Sequence, residues 1–324
     1  MKKTETKNQL NKHPIIIITF VILFLYAASI ILVLAWGVLT SLKSDIDFEI
    51  MSNYIGLPNL EYSKNEAFRF ANFSTVFKYM GTLQYSSVYY SGTTKVTHTL
   101  GGGGTTIPFL TYFWYTLLYV GVGSIILAIV PAVGGYMCAK YKFKFSKIQC
   151  TIYLLFIMIP IVGNYPSELS FLRWSGLYDT FIGNWIQKFH FSGMYFFVFL
   201  AFYQGLPDAY AEAAEIDGAS QLSVLIRIII PLSANIIGSV FLIQFINLWN
   251  DYQTPLLYLP TKPTLAYVVY LFSQTNAPGL SPAVKGKHPI EIAACLMLAL
   301  PILVIYCVFS KKLIGDISMG GIKG

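Results

Sequence analysis

Charge is what this chain has least of. Only 11% of its 324 residues are Asp, Glu, Lys or Arg, where soluble domains carry about a quarter. Hydrophobic residues make up 55% of the chain, and its mean hydropathy is +0.60. That balance excludes an ordinary soluble domain and points to an integral membrane protein. Cysteine is also scarce. Cys138, Cys150, Cys295 and Cys307 lie in or beside apolar segments without CxxC spacing, which leaves them as small buried core residues. His13, His98, His190 and His288 are scattered at segment edges and in loops, so no metal centre is expected. No cluster of His, Cys and acidic residues suits catalysis, and the chain reads as non-catalytic. Gly101-Gly102-Gly103-Gly104 lacks the Lys-Ser/Thr and the helix start of a phosphate loop, which makes it a flexible connector. The formal net charge of +7 does not imply nucleic acid, because the basic residues border apolar segments, where cytoplasmic lysines hold topology.

What the chain does have is apolar length. Residues 1–13 form a basic cytoplasmic N-terminus with Lys2, Lys3, Lys7 and Lys12. The apolar run 14–42 is too long for the core of a signal peptide and reads as a first transmembrane helix. Residues 43–108 are an extracytoplasmic loop, long enough to fold as a small cap. A second span covers about 109–138, with Gly121, Gly123, Gly134 and Gly135 as points of close helix approach. Lys140, Lys142, Lys144 and Lys147 then mark the cytoplasm. The third span, 148–170, is broken by Pro160 and Pro166, and an aromatic outer loop covers 171–191. The fourth, 192–205, is short, so its start is expected earlier. A cytoplasmic connection, 207–231, precedes the fifth span at 233–249. An outer loop rich in Pro, Gly and Ser, 254–289, leads to the sixth span, 290–309, which ends at Lys311-Lys312. The expectation is an all-α integral membrane protein of six transmembrane helices with both termini cytoplasmic. Its core is 109–312, and its tail is 313–324.

The connection 207–231 breaks the poverty of charge with Asp208, Glu212, Glu215, Asp217 and Arg227. Pro207 suits a first helical position, and the acids favour a helix N-terminus. Asp217-Gly218 interrupts that helix. Ser220 caps a second one that runs to Ile230, with Arg227 in its last turn and Pro231 marking its break. The pattern is helix, turn, helix on the inner membrane surface. Two readings stand at this level, an amphipathic connector and a docking element.

Glu212-Ala213-Ala214, Gly218, Ile228 and Pro231 have the spacing of the EAA loop. The chain thereby resembles the permease subunits of bacterial binding-protein-dependent ABC importers. EAAEIDGAS, Trp249-Asn250-Asp251, Gly176-Leu177-Tyr178-Asp179-Thr180, Lys43-Ser44-Asp45 and the terminal Gly320-Gly321-Ile322-Lys323-Gly324 resemble the carbohydrate branch, in particular its smaller, maltose-permease-type subunit. The match departs from the family at Tyr115, often Asn, and at Ala234-Asn235, commonly Lys-Pro. The likeness omits the enlarged loop 46–105, for which a contact with the binding protein or the partner permease is expected.

The resemblance implies an ATP-driven carbohydrate importer of alternating access in the bacterial cytoplasmic membrane. It implies a second permease subunit, two ATPase subunits and an extracytoplasmic solute-binding protein as partners. Glu212, Ala213, Ala214, Asp217, Gly218, Arg227 and Pro231 would couple to the ATPase. Glu212 would meet a basic residue there, Gly218 would set the bend, and Ala213 and Ala214 would leave a smooth surface. Gly320, Gly321, Ile322, Lys323 and Gly324 would reach into the ATPase pair. No Walker motif is present, so ATP and Mg belong to the partner subunits and this chain binds no cofactor. In the outer loop, Asn276, Pro278, Gly279 and Ser281 would touch the binding protein, against the plainer reading of an interhelical loop. On span five, Gln244, Asn247 and Asp251 fall near one helical face. They either line the pathway or tie the span to its neighbours. The alternatives are a permease for another polar solute and an ion-driven secondary transporter.

Overall fold

A computed structural model describes residues 14–59, 68–91, 94–101, 106–141, 148–153, 155, 163–190, 193–274 and 276–317. These are mostly helical, and one antiparallel hairpin departs from the all-α expectation. Among the described residues, three helices are long and apolar enough to cross a bilayer: Ile15–Ser41, Phe109–Lys140 and His288–Val308. The pair Gln221–Leu232 and Ala234–Trp249, bent by 73°, makes a fourth if taken as one span, and Met194–Gln204 is a shorter apolar helix. Most of the expected third span, including Pro160, lies outside the described residues. The chain divides into two compact units, Met1–Tyr79 with Pro282–Met297, and Met80–Ser281 with Leu298–Gly324.

In the first unit, α1 (Pro14–Ser41) is apolar on every side, as a helix facing lipid should be. Just beyond it the chain ties a polar knot. Lys43 is buried and donates from Nζ to the Asn53 carbonyl at 2.5 Å. Asp47, buried in the π turn Ile46–Ile50, accepts from Asn53 Nδ2 and the Asn59 amide, each at 3.0 Å. Burial lowers the Lys43 pKa, and the Asp47 charge opposes that shift. Asn72, on α2 (Ala71–Met80), donates to the Ser41 and Lys43 carbonyls at 2.7 and 2.9 Å. Asp45 pairs with Lys287 at 2.8 Å. The Lys43-Ser44-Asp45 motif is therefore a set of ties that satisfies buried polar groups where the helix ends.

The second unit begins with the hairpin, β1 (Tyr85–Ser91) and β2 (Thr94–Leu100), paired from Tyr85↔Leu100 to Ser91↔Thr94. Its root is fixed by Tyr85, which is buried edge-on to Tyr112 and Tyr267 at 6.1 and 5.5 Å between centroids. The long helix α3 (Phe109–Lys140) contains a π turn at Leu118–Val122 and runs through Pro131. It outlasts the expected end at 138. A Cβ on Gly135 would stand 2.9 Å from Phe199 Cβ and 3.0 Å from the Leu200 amide, so this glycine does let two helix backbones approach closely.

Several expected boundaries are corrected. Pro166 does not break a span; it stands in the first turn of a separate helix, α4 (Tyr165–Trp174), where a missing N–H costs nothing. The region 171–191, expected as a loop, also contains α5 (Phe181–Gln187). The next helix, α6 (Met194–Gln204), does not start before 192 as expected but at Met194, after Gly193 at φ +140°. The connection 207–231 holds α7 (Ala209–Ile216) and most of α8 (Gln221–Leu232), and α9 (Ala234–Trp249) follows it. The region expected as a loop rich in Pro, Gly and Ser, 254–289, holds most of two helices, α10 (Gln253–Tyr258) and α11 (Leu265–Phe272), and most of α11 is buried. The last helix, α12, is His288–Ile317. The cysteines are not core residues either: Cys138 and Cys150 are half-buried, and Cys295 and Cys307 are exposed on apolar helices.

One apolar cluster positions the connection 207–231. Ala128, Ala132 and Tyr136 of α3 meet Phe199 and Tyr203 of α6 and Val240 of α9. Ala214, Val224 and Ile229 of the connection join the same cluster. Both α7 and α8 are therefore close-packed against three apolar helices.

Candidate coupling site

On α7 the residues sort by angle around the helix. Ala214 is buried in the cluster, while Glu212, Ala213 and Glu215 are exposed. Only Ala213 leaves a small outward surface; Ala214, expected beside it there, turns inward because successive residues diverge by about 100°. The helix ends as the sequence indicates. Gly218 adopts φ +82°, its amide bonds the Glu215 carbonyl at 3.0 Å, and the Ala219 amide bonds the Ala214 carbonyl at 2.9 Å. This double bond pattern across a left-handed residue is a Schellman ending. A Cβ at Gly218 would meet nothing within 4 Å, so the demand for glycine is conformational and not spatial.

Ser220 caps α8, accepting from the Ser223 amide at 3.3 Å. The helix does not run as one α segment to a break at Pro231. A π turn occupies Leu225–Ile229, with Arg227 exposed on it, and the helix passes through Pro231 to Leu232. The bend falls instead at Ser233, whose hydroxyl bonds the Ile229 carbonyl at 2.7 Å and accepts from Tyr203 at 3.0 Å. Nor does α7 begin at Pro207; Asp208 precedes its first residue, Ala209.

The charges of the connection fall into two sets. Asp208 Oδ1 pairs with Lys140 Nζ at 2.6 Å, and Glu215 Oε1 accepts from Gln221 Nε2 at 2.5 Å. Glu212, Asp217 and Arg227 have no side-chain partner among the described residues, and all three are exposed.

Span five separates in the same way. Gln244 is half-buried and Asn247 exposed, and neither side chain bonds another described residue. Asp251 lies just past the end of α9. It accepts from Tyr119 OH at 2.6 Å and from the Thr254 amide at 3.1 Å. Tyr119 sits in the π turn of α3, and the Lys188 ammonium lies over its ring at 4.5 Å. Lys188 is buried and donates to Asn184 Oδ1 at 2.7 Å. Burial pushes its pKa down to about 8, and the Asp251 charge works against that. The composition-level reading passed over Lys188, Asn184 and Tyr119. Its missed signal was one lysine in an aromatic loop, four residues after an asparagine.

The loop residues Pro278 and Gly279 are joined to the hairpin root: the Gln84 amide bonds the Pro278 carbonyl at 3.1 Å, and Thr82 Oγ1 bonds that of Gly279 at 3.3 Å. Asn276 is exposed and Ser281 half-buried. Nearby chemistry explains the Gly176–Thr180 motif. Asp179, buried at φ +59°, accepts from the Thr261 amide and hydroxyl at 3.2 and 2.5 Å and pairs with Lys262 at 3.6 Å. Thr180 caps α5, accepting from the Gly183 amide at 3.0 Å. Asp179→Ala strands the Thr261 donors and is expected to cost roughly 1–3 kcal/mol. Thermal unfolding in detergent measures it, and Asp179→Asn should fall between the two. The tail Gly320, Gly321, Ile322, Lys323 and Gly324 lies outside the described residues.

Known proteins share this chain's sequence and fold. It is 25% identical over 213 residues to the arabinooligosaccharides transport system permease protein AraQ of Bacillus subtilis (strain 168), covering 65% of this chain and 73% of that protein. It is 27% identical over 219 residues to the melibiose/raffinose/stachyose import permease protein MelC of the same organism, covering 65% and 75%. To the maltose/maltodextrin transport system permease protein MalG of Vibrio vulnificus (strain YJ016) it is 24% identical over 235 residues, covering 67% and 73%. Its fold is that of a chain in the crystal structure of a bacterial ABC transporter involved in import of the acidic polysaccharide alginate, with a TM-score of 0.66 and 18% identity over 91% of this chain and 95% of that one. The family model for the binding-protein-dependent transport system inner membrane component matches residues 124–313, more than half of the chain and all of the coupling site. By that match the chain belongs to the family of inner membrane components of binding-protein-dependent transport systems.

Proposed function

We propose that this chain is a non-catalytic permease subunit of an ATP-driven carbohydrate importer, and that α7 receives the closing motion of a cytosolic ATPase. One observation carries the coupling: Glu212 is an exposed carboxylate without a partner among the described residues, on a helix whose opposite face is packed into the cluster joining α3, α6 and α9. A basic partner residue can take that charge at its surface while the packed face passes the displacement inward. Asp217, Gly218, Arg227 and Pro231 shape and flank the same element.

The substrate class follows from the relatives, whose names specify arabinooligosaccharides, melibiose, raffinose, stachyose and maltodextrins. An oligosaccharide is the reading that fits them together. Gln244 and Asn247 are the pathway residues of span five; polar groups left without partners on a membrane helix are costly unless they face a cavity or a partner. Asp251 is a tie to α3. A binding protein meets the outer loop at Asn276, Pro278, Gly279 and Ser281. The other parts are a second permease, two ATPase subunits that hold ATP and Mg, six spans with both termini inside, and a tail, Gly320 to Gly324, that contacts the ATPases.

In proteoliposomes holding the assembled transporter, oligosaccharide uptake should stop when the ATPase subunits alone are disabled, and persist when ion gradients are collapsed. The reverse result would make the chain an ion-driven transporter. Titration of the co-purifying binding protein with oligosaccharides and with polar amino compounds decides the solute class.

A further inference from the structure

We propose that Lys140 and Tyr141, at the inner end of α3, are positioning residues that clamp the coupling connection to the second span, so that loop and span move as one piece. The proposal rests on the coupling role given to α7 above. Lys140 counts in sequence among the lysines that set topology, yet its side chain is only 13% exposed. Its ammonium is held by Asp208 Oδ1 at 2.6 Å and the Leu206 carbonyl at 2.5 Å. Both acceptors lie in the short link between α6 and α7. Tyr141 makes the second grip: its hydroxyl donates to Gln221 Oε1, and Gln221 Nε2 donates to Glu215 Oε1 at 2.5 Å. Gln221 opens α8 and Glu215 stands in the last turn of α7, so one phenol is tied to both coupling helices.

The clamp is itself held in place. The Tyr141 ring is edge-on to Tyr136 at 6.0 Å, and Tyr136 is edge-on to Tyr203 at 5.5 Å. Apolar packing alone resists separation but is non-directional, and a helix on an apolar surface can slide or roll. Charge-assisted hydrogen bonds fix direction as well as distance. The connection thus uses its charges twice: Glu212 and Arg227 are left for a partner, while Asp208 and Glu215 bind the loop to its own span.

The test uses the assembled transporter with the four native cysteines replaced. Spin labels go at Gly121→Cys on α3, where a Cβ meets nothing within 4 Å, and at Ile226→Cys on α8, 53% exposed. The distance between them is read at rest and after trapping with Mg-ATP and vanadate. With the clamp intact, one narrow distribution is expected in both states. Lys140→Ala with Tyr141→Phe should retain the ATPase subunits on purification and stay narrow at rest, then shift and broaden after trapping. If that double variant does not assemble, Tyr141→Phe alone, which removes one hydroxyl and keeps the ring, must broaden too. Lys140→Asp should broaden the distribution, and adding Asp208→Lys should narrow it again. Distributions that stay narrow in the clamp variants, no recovery in the charge swap, or a change on trapping with the clamp intact would each overturn the proposal. Glu212→Ala read alongside keeps the two ideas apart: retained ATPases and normal transport there would sink the docking reading, whereas the clamp stands or falls on the distance.

Discussion

Glu212→Ala is expected to weaken association of the ATPase subunit with the permease by about 2 kcal/mol or more, roughly thirtyfold, as truncation of a central interfacial charge does. Protein stability should change little, because the carboxylate is exposed and bonds no described residue. Thermal unfolding and membrane insertion should therefore match the unaltered chain while transport is lost. Glu212→Lys should be worse than Glu212→Ala, since a like charge facing the basic partner adds repulsion to the missing attraction. Glu215→Ala separates docking from local shape: it removes an acid of equal charge from the same helix, but one already bonded to Gln221. Titration of purified ATPase against the permease in nanodiscs should rank the losses Glu212→Lys, Glu212→Ala, Glu215→Ala. Equal affinity for all three would remove the coupling role from Glu212.

The coupling connection was legible in sequence because polar residues in an apolar chain stand out, and because Gly218 answers a local demand for positive φ that few other residues meet. Ser220 capped its helix as expected, for the same local reason. What could not be read was pairing at a distance. Lys140 obeys the rule for cytoplasmic lysines, and that rule counts charges without naming partners; Asp208 lies 68 residues further on. Lys188 was equally silent, since its surroundings come from three segments. The hairpin was a different kind of miss. Val88, Tyr89, Tyr90, Val96, Thr97 and Thr99 are strand-forming types around Gly92, but the overall polarity of the loop outweighed that signal. Pro166 and Pro231 misled because proline was read as a break; one stands in a first helical turn, and the other follows a π turn where the ladder of hydrogen bonds is already altered.

Asp251→Asn is expected to cost about 3 kcal/mol of stability, the lower end for leaving a buried charge uncompensated. The single amide oxygen can replace only one of the two carboxylate oxygens that accept from Tyr119 OH and from the Thr254 amide, so the loss combines the missing charge with one missing acceptor. Lys188 is left buried over the Tyr119 ring without the Asp251 charge, its ammonium bonded among the described residues to Asn184. The lower end applies because Lys188 and Asp251 act through Tyr119 without closing to an ion pair. Lys188→Met in the same chain should recover the charge-dependent part of the loss, since a Met fills similar volume and leaves no ammonium to neutralise. A pH profile checks the sign independently. Burial holds folded Lys188 near 8, below the ordinary 10.5, so the unfolded chain binds more protons between those values. Stability from this group therefore rises with pH across that window and is flat below it. Asp251 raises the Lys188 pKa, so in Asp251→Asn the rise should begin at lower pH. Lys188→Met should abolish it in either background. A profile that Lys188→Met leaves unchanged would mean that the ammonium is hydrated in the membrane-embedded protein, and that Asp251 serves Tyr119 and Thr254 alone.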